Sequence, residues 1–502
     1  MKVRDQRIVA ERKGNLLRRL DRENYPAHEG PVLAGGDVQY EMSERVRAIG
    51  YGGIGAVHAM ARALGLPAAI NAAVRVLKMH RPYHESDHVL NLAYNVLTDG
   101  DCVEDLERLR ADETYMDALG AERIPDPTTA GDFCRRFSGE APIVALQEAF
   151  NDVGEKVWDL QGESFFEEAI VDIDATIAGT DGECKEGMGL SYKGVWGYAP
   201  LMISLANTRE PLYLVNRPGN TPSCADAARW IDRTIERLSK LYKSILLRGD
   251  TDFSLTYKFD EWSEKVDFIF GYDAKPNLIQ HAQGLPESAW TALTRPAKYT
   301  VQTKERTRPE NVKERIVKEK GYQNIRLVSE HVAEFDYRPA ACKKSYRMVV
   351  VRKNLSVERG EAVLFDDLRY FFYITPNRAR AQEETVFQAN ARCDQENLFG
   401  QFHSDLAAMR MPLDNLYSNW AYMVIAALAW RLKAWYGLLV PDKTESQKVV
   451  RMEFKTFRHR FVRIPCQIIK HGRRLVYRIA AYNHWLHTFF DTFAVIRRLR
   501  FA

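Results

Sequence analysis

Ala169-Ile-Val-Asp172-Ile-Asp174-Ala-Thr176 is the stretch on which the fold turns. Its apolar, β-branched residues predict a buried strand, and that strand ends on acid. Side chains alternate faces along a strand, so Asp172 and Asp174 point the same way. A carboxylate inside an apolar strand is costly unless it is paired, hydrogen-bonded or bound to metal. Both aspartates are therefore candidates for a site.

The sequence around this stretch extends the pattern. A strand over Phe165–Asp174 is followed by strands at Leu201–Asn207 and Pro211–Asn216, the last closed by the turn Arg217-Pro-Gly-Asn220. Thr221–Leu241 has the spacing of an amphipathic helix, with Thr221 or Ser223 as its N-cap. Strands at Lys243–Arg248 and Val266–Phe270 complete the set. Three strands, a helix, a strand, a helix and a strand predict an α/β fold, a mixed sheet flanked by helices. This order matches the ribonuclease H-like fold.

Two further acids stand in comparable settings. Asp250 follows an apolar run in Ser244-Ile-Leu-Leu-Arg248-Gly249-Asp250-Thr-Asp252-Phe253. Open α/β sheets build their sites at the carboxyl ends of strands. Asp252 is placed to cap the helix that follows. Glu396 lies in the helical stretch Asn390-Ala-Arg392-Cys-Asp-Gln-Glu396-Asn397. Arg392, Glu396, Phe399 and His403 share one stripe; Phe387, Ala391, Leu398, Phe402 and Leu406 form a packing stripe largely on the other side. Alone, Arg392 and Glu396 would be an i,i+4 surface pair worth about 0.3–0.5 kcal/mol. Two strand-end aspartates with a helical glutamate form a site for two divalent ions, and such sites transfer phosphoryl groups on nucleic acid.

Composition sets the frame. The 502 residues are 46% hydrophobic, enough for two to four domains with large cores. Apolar runs fall far short of the ~18 residues of a membrane span, and the N-terminus lacks the apolar segment of a secretory signal. The expectation is a cytosolic protein with no membrane partner. Seven cysteines (Cys102, Cys134, Cys184, Cys224, Cys342, Cys393, Cys466) are scattered with no C-x-x-C pair, which argues against a disulfide framework or a zinc site. The net charge of +4 hides an asymmetry. From Pro441 onward there are 14 Lys/Arg against 4 Asp/Glu, a net +10 that leaves −6 on the preceding 440 residues. Aromatics interleave these charges in Phe454-Lys-Thr-Phe-Arg458-His-Arg460-Phe, His471-Gly-Arg473-Arg474 and Arg497-Arg498-Leu-Arg500-Phe. A basic region of this kind suits phosphate backbones.

Five regions follow from texture. Residues 1–150 are helical, with a helix from Arg7 to Arg22, a Pro/Gly break at 25–31 and the outline of a helix-turn-helix near 55–78 around Gly65, an expected DNA contact. Residues 151–270 form the first part of the core. Residues 271–376 alternate β runs (299–301, 325–328, 346–351, 370–374) with charged segments such as 304–320 and predict a β-rich insertion. Helix resumes near Ala381 and runs with breaks to Tyr436, so 377–440 complete the core. Residues 441–502 form the basic C-terminal region.

Taken together these motifs resemble bacterial insertion-sequence transposases of the DDE class, in the subgroup with a β-insert before the final glutamate. The resemblance rests on Val171-Asp-Ile-Asp174-Ala-Thr176, Tyr192-Lys-Gly194-Val-Trp-Gly197-Tyr198-Ala-Pro200-Leu and Asn216-Arg-Pro218-Gly219-Asn220. It continues in Arg248-Gly249-Asp250-Thr-Asp-Phe253, Arg392-x-x-x-Glu396-Asn397 and Asn419-Trp-Ala-Tyr422. It covers residues 165–440 well and the N-terminal region loosely. The family's last motif carries a Tyr where this chain has Ala389 and a Lys where it has His403.

The resemblance implies Asp174, Asp250 and Glu396 as catalytic ligands of two Mg²⁺ or Mn²⁺ ions, with Asp174 favoured over Asp172. It implies double-stranded DNA as partner, both terminal inverted repeats and target, bound by a homodimer in a bacterial cell and associated with the nucleoid. Arg392, His403, Asn397, Arg248, Arg458, Arg460, Arg473 and Arg474 are the expected DNA contacts, and Trp290 in the insert is placed to handle a DNA hairpin or a flipped base. Other readings of the same acids are a metal-dependent nuclease without strand transfer and a DNA-binding protein with a repurposed core.

Overall fold

The computed structural model describes residues 1–21, 47–80, 82–295, 312–321, 323–359, 362–471 and 474–501. The Pro/Gly break at 25–31, the β run at 299–301, part of the charged segment 304–320 and Arg473 lie outside the described residues.

The strand Glu168–Ala175 forms as its β-branched sequence predicts, with Val171 and Ile173 fully buried. It pairs antiparallel with Leu201–Leu205, which pairs antiparallel with Glu210–Val215. On its other side it runs parallel to Ser244–Gly249, which runs parallel to Asp267–Tyr272. These five strands lie in the expected ribonuclease H-like order. The intervening helix begins at Ala227 rather than near Thr221, with Asp226 at its N-cap.

The β-rich segment adds to this sheet instead of standing apart from it. Ala362–Thr375 pairs antiparallel with Asp267–Tyr272, through Phe372 opposite Tyr272 and Ile374 opposite Phe270. Tyr346–Arg359 and Gln323–Tyr337 follow outward, then Thr291–Ala292, giving one nine-stranded sheet. The runs at 325–328, 346–351 and 370–374 are therefore parts of strands 14 and 15 residues long.

At the opposite edge the sheet meets helices. Leu416–Leu438 is mostly apolar, and its residues from Ser418 to Leu438 are buried, Arg431 and Lys433 among them. Such a helix belongs in the centre of a body. It packs between Glu140–Trp158, Glu85–Leu97 and Lys443–Arg451. The edge strand Glu210–Val215 would leave one row of backbone groups unpaired. Side chains from the two long helices satisfy them: Trp420 Nε1 donates to the Leu214 carbonyl at 2.6 Å, Gln147 Oε1 accepts from the Leu214 N–H at 2.7 Å, and Asn151 and Arg431 donate to the Leu212 carbonyl. Glu210, fully buried, accepts from Trp158 Nε1 at 2.9 Å and Trp435 Nε1 at 2.7 Å.

The basic C-terminal region is folded into this body. Cys466–His471 and Arg474–Ile479 form a hairpin, and the first of these strands pairs with Ala48–Ile49 near the other end of the chain. The helix pair around Gly65 exists as Ile54–Ala63 and Leu66–Ala73, with Gly65 at φ 74°, a left-handed turn that favours glycine. Its second helix, Leu-Pro-Ala-Ala-Ile-Asn-Ala-Ala, carries no basic side chain and packs against Glu140–Trp158. Its polar side chain, Asn71, accepts from the Ser86 N–H at 2.8 Å.

Glu210→Ala would leave two buried indole N–H groups without an acceptor, each worth about 1–3 kcal/mol. The expected outcome in urea denaturation is a loss of roughly 2–5 kcal/mol, with Glu210→Gln, which keeps one acceptor oxygen, losing less.

Candidate active site

The parallel register sets Asp172 opposite Arg248 and Ile173 opposite Gly249. Asp174 and Asp250 are the next residues, so both carboxylates emerge at neighbouring strand ends. Asp250 begins a short 3-10 turn, Thr251–Phe253, and its Oδ1 accepts from the Asp252 N–H at 3.0 Å. Gly249 is required by packing: a Cβ there would sit 2.9 Å from the Phe253 Cβ and from the Phe270 ring.

Asp172 and Asp174 share a face but not a fate. Asp172 is 2% exposed and accepts twice from one guanidinium, Arg248 Nε at 2.7 Å and Nη2 at 2.9 Å. Its oxygens are committed, so it is a structural partner and not a substitute metal ligand. The same pairing corrects the reading of Arg248 as a DNA contact. Arg248 is 4% exposed, and its remaining Nη1 donates to the Gln388 carbonyl at 3.0 Å and to Gln388 Oε1 at 3.2 Å.

Glu396 lies on the helix Cys393–Ser404, which is held to the sheet by its neighbour Gln395. Gln395 Nε2 donates to the Asp172 carbonyl at 3.2 Å and to the Met202 carbonyl at 3.1 Å. Sequence reasoning passed over Gln395 because it sits one residue off the stripe of Glu396; its position beside that glutamate was the only signal. The Glu396 side chain is 63% exposed. Phe399, read on the same stripe, is buried and packs.

Arg392 stands between Asp174 and Glu396. It falls between the helices Gln382–Ala391 and Cys393–Ser404, where its own N–H bonds to the Asn390 carbonyl. Its Nη1 donates to Asp174 Oδ2 at 2.7 Å, and its Nη2 lies 3.8 Å from Glu396. Burial pushes the Asp174 carboxyl up to about 6, with Asp250 adding to the rise and Arg392 opposing it. Burial likewise raises Asp250, helped by Asp252 and opposed by Arg392. Burial works against the charge on Arg392, but Asp174, Asp250 and Glu396 outweigh it. Carboxylate oxygens are hard donors of the kind that suit a divalent cation.

Among the described residues, the three carboxylates do not close to within 4.8 Å of one another; the clusters that do are His80/His84/Glu85 and Asp101/Cys102/Asp105.

The other expected contacts are scattered. His403 reaches Thr176 Oγ1 at 3.3 Å beside Asp174, and burial holds its pKa below the usual histidine value. Asn397 is exposed on the Glu396 helix. Arg458 is buried, bonded to the Val96 carbonyl and paired with Asp99, so its role is in the fold. Arg460 lies over the Trp485 ring and Arg474 is exposed. Trp290 is covered by Arg352 at 4.3 Å and packed against Tyr370. Tyr192 and Trp196 do face solvent, 85% and 57% exposed. They belong to a hairpin that continues from the Asp174 strand through Ala178–Gly179.

A family profile described as transposase DDE domain group 1 matches residues 47–501. No curated protein matches the chain. A solved structure, the piggyBac transposase synaptic complex with hairpin DNA, shares 12% identity over 83% of each chain with a TM-score of 0.33, a likeness that fixes no residue's role here. No helix among the described residues is long and apolar enough to cross a membrane. The chain belongs to the transposase DDE domain group 1 family.

Proposed function

We propose that this transposase cuts DNA at the ends of a mobile element and joins those ends to target DNA, with Asp174, Asp250 and Glu396 holding two divalent ions, Mg²⁺ or Mn²⁺. The observation that supports this is one guanidinium between Asp174 and Glu396, with Asp250 at the neighbouring strand end and the Glu396 helix pinned to the sheet. When bound, such ions lower the pKa of an attacking hydroxyl and neutralise charge on the leaving oxygen.

The chain's own residues do the rest by position. Asp174 must give up its proton to serve as a ligand. Asp250 is held by the turn that it begins. Gln395 keeps the Glu396 helix against the Asp174 strand. The Asp172–Arg248 pair keeps the two strand ends in register. DNA contact falls to the exposed Asn397, His403 and Arg474 and the half-buried Arg460, and Arg473, which precedes Arg474 in the sequence, is assigned with them. Tyr192, Lys193 and Trp196 extend that surface from the Asp174 strand. Two element ends must be brought together, so the working unit is a homodimer on DNA.

The test is excision of the gene with its native flanking DNA from a plasmid by purified protein and Mg²⁺. Asp174→Ala, Asp250→Ala and Glu396→Ala are each expected to lower excision by roughly 10³-fold or more. Excision at the wild-type level by the three variants sinks the assignment, and cleavage without joined product favours a nuclease.

A second outcome follows from Asp174. Its carboxyl is raised to about 6, so below that pH it holds a proton that a metal must displace. Mn²⁺ affinity is expected to fall about tenfold per pH unit below about 6 and to level off above it. Calorimetry in buffers of different ionisation enthalpy would show proton release at pH 5 that vanishes by pH 7.5 (about half a proton near pH 6). A flat affinity across this range contradicts the role of Asp174.

A further inference from the structure

This inference rests on reading Asp174, Asp250 and Glu396 as the divalent-metal site. Arg392 bonds Asp174 at 2.7 Å, approaches Glu396 at 3.8 Å, and its side chain is 15% exposed. Its charge is felt by Asp250 as well. The backbone places it there. In an unbroken helix the Gln388 carbonyl would accept the Arg392 N–H; here that carbonyl accepts from Arg248, the Arg392 N–H turns to Asn390, and a new helix starts at Cys393. A flat guanidinium between the acids is also a reason that they do not close to within 4.8 Å.

Such a group cannot keep its bond to Asp174 while that carboxylate binds a divalent ion at the same face, because like charges would be pressed together in a partly buried site. We propose that Arg392 is the built-in counter-ion of the metal-free site, displaced from Asp174 by entering divalent cations and then taken up by a phosphate of the DNA substrate. A displaced guanidinium beside two metal ions needs an anion, and its planar fork suits phosphate. Metal and DNA binding are then linked through one side chain, and each must strengthen the other by the same factor.

Calorimetric titration of Mn²⁺ into the full-length protein tests this, with and without a saturating duplex of the gene's own flanking DNA. Wild type is expected to bind Mn²⁺ about tenfold more tightly when DNA is present. Arg392→Gln is expected to bind Mn²⁺ about tenfold more tightly than wild type without DNA, with little further gain when DNA is added. Arg392→Lys, which keeps the charge, should stay near wild type without DNA. An Arg392→Gln protein that binds Mn²⁺ no better than wild type, or that behaves like Arg392→Lys, overturns the proposal. Asp250→Asn separates the two readings. If it binds Mn²⁺ as wild type does, the metal site itself is misassigned. If it binds weakly while Arg392→Gln is unchanged, only the counter-ion role fails.

Discussion

The buried pair between Asp172 and Arg248 is the constraint from which the site follows. Two charges at 2% and 4% exposure have lost their water, and such pairs add little net stability against apolar replacements. What this pair does is geometric. It links the Asp174 strand to the Asp250 strand across their parallel pairing, and its third contact reaches the Gln388 carbonyl. That contact coincides with the break in the helix before Glu396. One guanidinium therefore ties together both strand-borne acids and the place where the helix-borne acid begins.

The rest of the fold holds this arrangement from both sides. At one edge of the sheet the helical body supplies indole, amide and guanidinium donors to backbone groups that a sixth core strand would otherwise have satisfied. At the other edge the long β strands continue the sheet beyond Asp267–Tyr272. The site strands are thus central, away from either margin. A central strand is the stiffer place to mount ligands, because both of its neighbours resist displacement.

The core strands, and the strand-end and helix positions of Asp174, Asp250 and Glu396, are legible in the sequence because their signals are local. Apolar runs, strand-end acids and a helical stripe can each be read within a dozen residues. What the sequence did not carry depends on partners far along the chain. Arg248 and Arg458 looked like DNA contacts because an arginine is exposed by default; only the fold brings Asp172 to one and Val96 and Asp99 to the other. The C-terminal region looked like a basic arm, yet its strand pairs with Ala48–Ile49, more than 400 residues away. Trp290 was singled out as a large aromatic in the insert, whereas Trp196 is the exposed one, which composition cannot distinguish.

The exposures of Asp174 and Glu396 bear on how the proposed site would close. The Asp174 side chain is 13% exposed and bonded, whereas that of Glu396 is 63% exposed and only loosely met by Arg392. The backbone beneath Glu396 is not free to shift, since Gln395 is bonded to carbonyls on two adjacent strands. On the proposed metal site, bringing the three carboxylates onto common ions would then be a matter of side-chain rotation, Arg392 outward and Glu396 inward. A rotation of that kind costs roughly the entropy of ordering one long side chain, about 1–2 kcal/mol. That is small beside the several kcal/mol available from divalent charge at oxygen ligands. A scaffold this tightly pinned can leave its last ligand open to solvent without losing its geometry, because the one element that must move is a side chain and not a helix.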